Sequence, residues 1–200
     1  MRPFAVVTGA SSGIGYEVAR ILGKEGFDLL IVAEDAEIEG AERELSDHTS
    51  VKSLQIDLSD PSNVERLHEV ILDQCRPVDA LVLNAGIGAG GSFAAGTTLG
   101  HDLKLIDLNV KSIVHLLKLE IEPMVARDEG KVFFTSAVAS TRPGAHQAVY
   151  NATTSFVQSF ALALRNELTG TGVSVTSLIP APTDTVSGAT GDSGTLVWKP

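Results

Sequence analysis

The residues with the clearest capacity for chemistry form the run Thr8-Gly9-Ala10-Ser11-Ser12-Gly13-Ile14-Gly15. It directly follows the apolar segment Phe4-Ala5-Val6-Val7 and directly precedes an amphipathic stretch. Strand, glycine turn and helix in that order make a dinucleotide phosphate site. The glycines let the backbone turn tightly and approach a pyrophosphate, while the helix N-terminus offers free N–H groups and a partial positive charge. The spacing is Gly-x3-Gly-x-Gly, so Gly9, Ser11, Ser12, Gly13, Ile14 and Gly15 are the candidate phosphate-loop residues. Glu34, in Ala33-Glu34-Asp35 after a second apolar run, is either a solvated residue or the acid that meets the adenosine ribose. An acid there hydrogen-bonds a 2′-hydroxyl, whereas an arginine receives a 2′-phosphate. No Lys or Arg lies between Gly9 and Gly13, which favours NAD, with NADP the alternative.

Other clusters are weaker. Gly86, Gly88 and Gly91 fit G-x-G-x-x-G, but Ser92-Phe93-Ala94-Ala95-Gly96 does not open a helix, so a mobile loop over the site is the expectation. His48, His68, His101, His115 and His146 lack metal-ligand spacing and read as surface residues. No G-x-x-x-x-G-K-[ST] occurs, which excludes a P-loop phosphotransferase.

These residues need a scaffold, and the chain patterns one. Short β-branched runs at 4–7, 29–33, 53–56, 80–83, 132–135 and 173–179 alternate with amphipathic stretches at 14–25, 36–45, 61–74, 99–126 and 149–168. Continuous apolar runs such as Leu29-Leu30-Ile31-Val32-Ala33 suit parallel strands covered by helices on both faces. The expected fold is therefore α/β, a doubly wound parallel sheet of Rossmann type. Asp60-Pro61 should start a helix, with an N-cap acceptor followed by a proline whose missing N–H costs nothing there.

Two hundred residues with 44% hydrophobic content suit one domain, expected over 1–186, before a glycine-rich tail at 187–200 that lacks periodicity and reads as flexible. A net charge of −10 without a basic stripe argues against nucleic acid as a partner. The single cysteine, Cys75, excludes an intramolecular disulfide and fits a reducing compartment. The N-terminus leaves no room for a signal peptide and no apolar run reaches membrane-spanning length, so a cytoplasmic protein away from membranes is expected.

Taken together with four further positions, the loop resembles that of the short-chain dehydrogenase/reductase family, and the resemblance extends to about Thr185. Asp57-Leu58 looks like the family's adenine-contacting pair, and Asn84-Ala85-Gly86 like its Asn-Ala-Gly motif. Asn109 matches the catalytic asparagine of the long helix and Tyr150 the catalytic tyrosine. The resemblance implies an NAD(P)-dependent oxidoreductase for a small alcohol or carbonyl compound. In it Tyr150 is the acid/base and a cofactor contact, and Asn109 holds a proton-relay water. Pro180 and Thr183 stand in the segment whose threonine holds the nicotinamide amide. The stripe Phe156, Phe160 and Ala163 resembles a helix-bundle face of a homodimer or homotetramer, and His146 falls where it would line a substrate pocket.

Three positions depart from the pattern. Thr154 stands four residues after Tyr150, where the family has a lysine that grips the nicotinamide ribose. Threonine brings a hydroxyl but no charge, so Tyr150 should titrate near its unperturbed value of about 10, with about one in a thousand ionised at pH 7. Ala137, thirteen residues before Tyr150, takes the slot of the substrate-orienting serine. Ser136 is the remaining candidate serine, although neighbours on a strand face opposite ways. Ala181 replaces a glycine, and the family's substrate-covering helix and last strand have no counterpart in the tail. Hence two functions stand: an oxidoreductase with impaired activity, or a degenerate dinucleotide-binding pseudoenzyme, whether truncated or engineered.

Overall fold

The structure, a computed structural model, describes residues 2–88, 90–142 and 144–180. Six strands alternate with helices: β1 (Phe4–Thr8), α1 (Gly13–Lys24), β2 (Asp28–Ala33), α2 (Ile38–Leu45), β3 (Val51–Gln55), α3 (Pro61–Leu72) and β4 (Ala80–Leu83). Then follow α4 (Leu99–Ile106), α5 (Ser112–Ala126), β5 (Gly130–Thr135), α6 (Ala148–Glu167) and β6 (Val173–Leu178). All pairings are parallel, in the order β3-β2-β1-β4-β5-β6. The order reverses between β1 and β4, and in open sheets of this kind ligands bind beyond the carboxyl ends of the strands at that reversal.

The continuous apolar runs are explained by burial on both faces. Along β1 and β2, Phe4, Val6, Leu30 and Val32 pack with α3 and α5 on one side. Ala5, Val7, Leu29 and Ile31 pack with α1 and α2 on the other. Each fully buried Leu, Ile or Phe contributes about 1.5–3 kcal/mol of apolar burial, so the central strands anchor the site rigidly. Asp60 caps α3 as its sequence suggests, accepting a hydrogen bond from Ser62 N at 2.9 Å. The α3–α5 contact also carries two histidine–carboxylate contacts, His68 Nδ1 with Glu120 Oε1 at 2.7 Å and His115 Nε2 with Glu65 Oε1 at 2.6 Å. Those two histidines are thus partnered rather than merely solvated. Burial raises the Glu120 carboxyl above its ordinary range, with His68 opposing the shift.

Most boundaries shift by one or two residues, and the long helix is interrupted. β3 begins at Val51 rather than Ser53, because Val51 pairs with Leu29 at the sheet edge. The helix expected over 99–126 is split by a π-helical turn, Asp107–Lys111. A single widened turn leaves the apolar periodicity on either side intact, which is why the sequence reads as one helix. Ala181, Thr183, the tail and the domain boundary at 186 lie outside the described residues.

Candidate active site

The glycine loop leaves β1 through backbone geometry that favours glycine. Gly9 has φ +67°, and Gly9 N donates to Val32 O at 2.7 Å, folding the chain back over β2. Gly15 is required by close approach: a Cβ there would lie 2.0 Å from Gly9 O and 2.4 Å from Asn84 Nδ2. Thr8, absent from the candidates above, is the clip that holds the two halves together. Its hydroxyl donates to Val82 O at 3.1 Å and accepts from Asn84 N and Ala85 N at 3.0 and 3.1 Å. Asn84 returns the contact through Nδ2, which donates to the carbonyls of Thr8 and Gly9. The threonine heading the glycine run was the available signal, since its place at a strand end makes its hydroxyl a turn-forming group.

This cradle fits a dinucleotide. Glycines at 9, 13 and 15 leave its backbone open to close approach, and the Ser12 side chain makes no cap hydrogen bond to the first turn of α1. Nearby, Ser11 Oγ donates to Asp35 Oδ2 at 2.8 Å, and the buried Asp35 Oδ1 has no partner among the described residues. An acceptor left unpaired beside the loop suits a ligand hydroxyl, which makes Asp35 a candidate beside Glu34.

Glu34 itself is ion-paired. Lys104, reaching across from α4, places Nζ 3.0 Å from Glu34 Oε2 and 3.2 Å from Asp57 Oδ2. The hydrogen bond to Glu34 is the main reason the Lys104 ammonium titrates above its usual value; burial opposes it and Asp57 adds to it. For Asp57 burial pushes upward, but the hydrogen bonds from Ser59 and the charge of Lys104 outweigh it and hold the carboxyl below its ordinary range. Leu58, matched to the same adenine-contacting pair, has its side chain packed in the core, at 5% exposure.

On the other side of the reversal, Asn109 lies in the π-helical turn and is buried. Its Oδ1 accepts from Ile87 N and its Nδ2 donates to Ile87 O, both at 2.9 Å, with a longer contact from Nδ2 to Thr153 Oγ1 at 3.3 Å. The widened turn thus aims Asn109 at the loop after β4 and ties that loop to α6. Tyr150, near the start of α6, stands beside Gly88, where a Cβ would lie 4.0 Å from its Cε2. Burial raises the Tyr150 phenol above 10, so it does not keep the unperturbed value expected for a tyrosine merely lacking a cation.

Ser136 does not take the missing serine's place. It is buried, and Oγ donates to Thr154 O at 3.1 Å, so its proton is engaged within the β5–α6 packing. Ala137 follows it in extended conformation, at the start of the short 3₁₀ turn Val138–Ser140. Thr154 is 7% exposed and its hydroxyl donates to Asn151 O at 3.0 Å, a local bond that engages its only proton. Pro180, the last described residue of its segment, accepts from Val138 N at 3.2 Å.

Among the described residues between Gly86 and Leu99 no helix begins, so the segment with Gly86, Gly88 and Gly91 does not open one. Gly91 N donates to the carbonyl of His146, which adopts φ +64°, so this loop and the approach to α6 close together near Tyr150. Beside them an apolar groove of about 390 Å³ runs between Phe93, Ile106, Val110, Val149 and Ala152. Phe156 is 40% exposed and stacks on Phe160 at 5.7 Å, while Phe160 meets the core edge-on against Phe134 at 5.9 Å. The stripe is therefore half core and half surface. Among the described residues no helix is long and apolar enough to cross a membrane.

Residues 3–193 match the family of short chain dehydrogenases. Among curated relatives, the NADP-dependent 3-hydroxy acid dehydrogenase YdfG of Salmonella typhi is 31% identical over 176 residues, 88% of this chain and 70% of the relative. Among solved structures, a short-chain dehydrogenase from Sphingobium yanoikuyae in complex with NADPH superposes with a TM-score of 0.85 at 30% identity, over 92% of this chain and 72% of its own. One from Burkholderia phymatum in complex with NAD gives 0.86 at 26% identity, over 92% and 67%.

Proposed function

The chain belongs to the short-chain dehydrogenase family, and from that membership we propose that it is an NAD(P)-dependent oxidoreductase for an alcohol or carbonyl substrate with weakened proton transfer. The observation that carries this reading is the convergence of the Gly9–Gly15 cradle, the Thr8–Asn84 clip, Asn109 and Tyr150 at the carboxyl edge of one sheet. When bound there, a nicotinamide would exchange a hydride with the substrate carbon. Gly9, Ser11, Ser12, Gly13, Ile14 and Gly15 hold the pyrophosphate, while Asn84, Ala85 and Gly86 bound the cleft. Tyr150 gives a proton to the carbonyl oxygen in reduction and takes it from the hydroxyl in oxidation. Asn109 would hold the relay water, with its own side-chain amide engaged by Ile87 and Thr153.

Glu34 and the unpaired oxygen of Asp35 favour NAD, with NADP the alternative. The chemistry is slow because Tyr150 is half-buried with no cation beside it among the described residues, and no hydroxyl stands at Ala137. The same two features support the second reading, a dinucleotide-binding pseudoenzyme. A lone free cysteine fits the reducing interior of a cell. With NADH and a panel of ketones and aldehydes, the purified chain should show slow oxidation of NADH that Tyr150→Phe removes. A rate unchanged by Tyr150→Phe, or none at all, leaves the pseudoenzyme reading standing.

Two copies are proposed to meet through the groove and the exposed ring of Phe156. Phe156→Glu should convert a dimer or tetramer to monomers in sedimentation without unfolding the chain, because Phe160 keeps its place on Phe134. An unchanged sedimentation profile would remove this face from the assembly.

A further inference from the structure

Lys104 is a cation in a place the family motifs do not explain. It sits on α4, yet its ammonium bridges Glu34, which follows β2, and Asp57, which follows β3. Both carboxylates stand at the carboxyl edge of the sheet, and the residue after Glu34 is the Asp35 that Ser11 of the phosphate loop contacts. The bridge therefore closes the corner of the cleft where the ribose of a dinucleotide's adenosine half would lie. It is not there for the fold: the three side chains are 41%, 44% and 37% exposed, and ion pairs this open add little stability.

Resting on the dinucleotide reading above, we propose that Lys104 is a specificity-determining residue that sets the discrimination between NAD(H) and NADP(H). Two carboxylates against one ammonium leave the corner negative. A ribose with free hydroxyls can hydrogen-bond to such a corner, whereas a 2′-phosphate, with a charge of about −1.5 to −2 at pH 7, is repelled. Among the described residues, Lys104 is the cation that bridges this corner and could pair with that phosphate, and Glu34 engages it. Removing the Glu34 charge leaves Lys104 facing the ligand with a single carboxylate partner. Removing Lys104 leaves two unneutralised carboxylates. Glu34 thus acts on the phosphate chiefly through Lys104, and the two positions should be coupled.

The test is a binding titration of NADH and NADPH, read by nucleotide fluorescence and by ligand-induced shift of the melting temperature, with no turnover required. The chain and its Glu34→Gln, Lys104→Met and Glu34→Gln/Lys104→Met variants are compared, with circular dichroism as a check on folding. Glu34→Gln should move the NADPH-to-NADH affinity ratio toward NADPH by about tenfold or more. The gain should shrink as salt rises and vanish in the double variant. Lys104→Met alone should weaken NADPH further while leaving NADH nearly unchanged. If Lys104→Met leaves the ratio unchanged in both Glu34 backgrounds while NADH still binds, the specificity role is overturned and the cleft reading stands. If the parent chain binds neither nucleotide, the cleft reading falls and the proposal falls with it.

Discussion

A Thr154→Lys, Ala137→Ser variant should reduce carbonyl substrates faster than the parent chain by roughly 10²–10⁴-fold, the usual worth of a well-poised acid–base group. The lesion it repairs is electrostatic. Tyr150 is half-buried and burial raises its phenol above the ordinary value, with no cation among the described residues to offset it. Position 154 is one helical turn along α6, on the same side as Tyr150. A lysine there can run its stem along the helix and place its ammonium in the cleft, lowering the phenol by roughly 1–3 units. The sign of the pH dependence follows. Alcohol oxidation needs ionised Tyr150, so the parent rate should climb with pH to beyond 10, and the variant's profile should move to lower pH. Reduction needs the neutral phenol and gains because a phenol of lower pKa is the better acid. Ala137→Ser adds a hydroxyl donor for the substrate oxygen at the end of β5, where Ser136 has none to spare. The two gains should not simply add, because both act on one proton-transfer step. A double variant that binds cofactor yet turns nothing over would establish the pseudoenzyme reading.

Gly15→Ala should abolish dinucleotide binding and destabilise the chain by about 1–3 kcal/mol or more. The added methyl would meet Gly9 O at 2.0 Å and Asn84 Nδ2 at 2.4 Å. Neither can withdraw freely. Gly9 is fixed by its N–H bond to Val32 O, and Asn84 Nδ2 donates to both Thr8 O and Gly9 O. The strain therefore reaches the β1–β4 clip and the phosphate cradle together. Gly100→Ala is the control: a Cβ there meets nothing within 4 Å, and alanine is the better helix former. Urea unfolding should show loss for Gly15→Ala and none for Gly100→Ala. Equal stability and equal NADH affinity in both would contradict the cradle as described.

Much of this architecture is legible in the residues, because parallel strands buried on both faces must be apolar throughout. β4 at Ala80–Leu83 and the cap of α3 at Asp60-Pro61 fall where their residues place them. The glycine loop is readable for the same reason, since close backbone approach admits no other residue type. What the sequence conceals depends on side-chain direction or on partners far along the chain. The widened turn at Asn109 keeps the helix periodicity around it. Ser136 reads as a possible catalytic hydroxyl until its Oγ is found on Thr154 O. The burial of the Leu58 side chain, matched to the adenine-contacting pair, is equally hidden in the sequence. Lys104 reads as one more surface charge, because its partners lie 70 and 47 residues away.

The central claim is that this site binds a nicotinamide dinucleotide despite its altered proton-transfer residues. It is tested most directly by titrating NADH into the purified chain and following nucleotide fluorescence. A saturable change is expected, weakened by the absence of a lysine at 154 and lost in Gly15→Ala. A signal that stays linear to millimolar NADH, on a chain shown to be folded by circular dichroism, would contradict it.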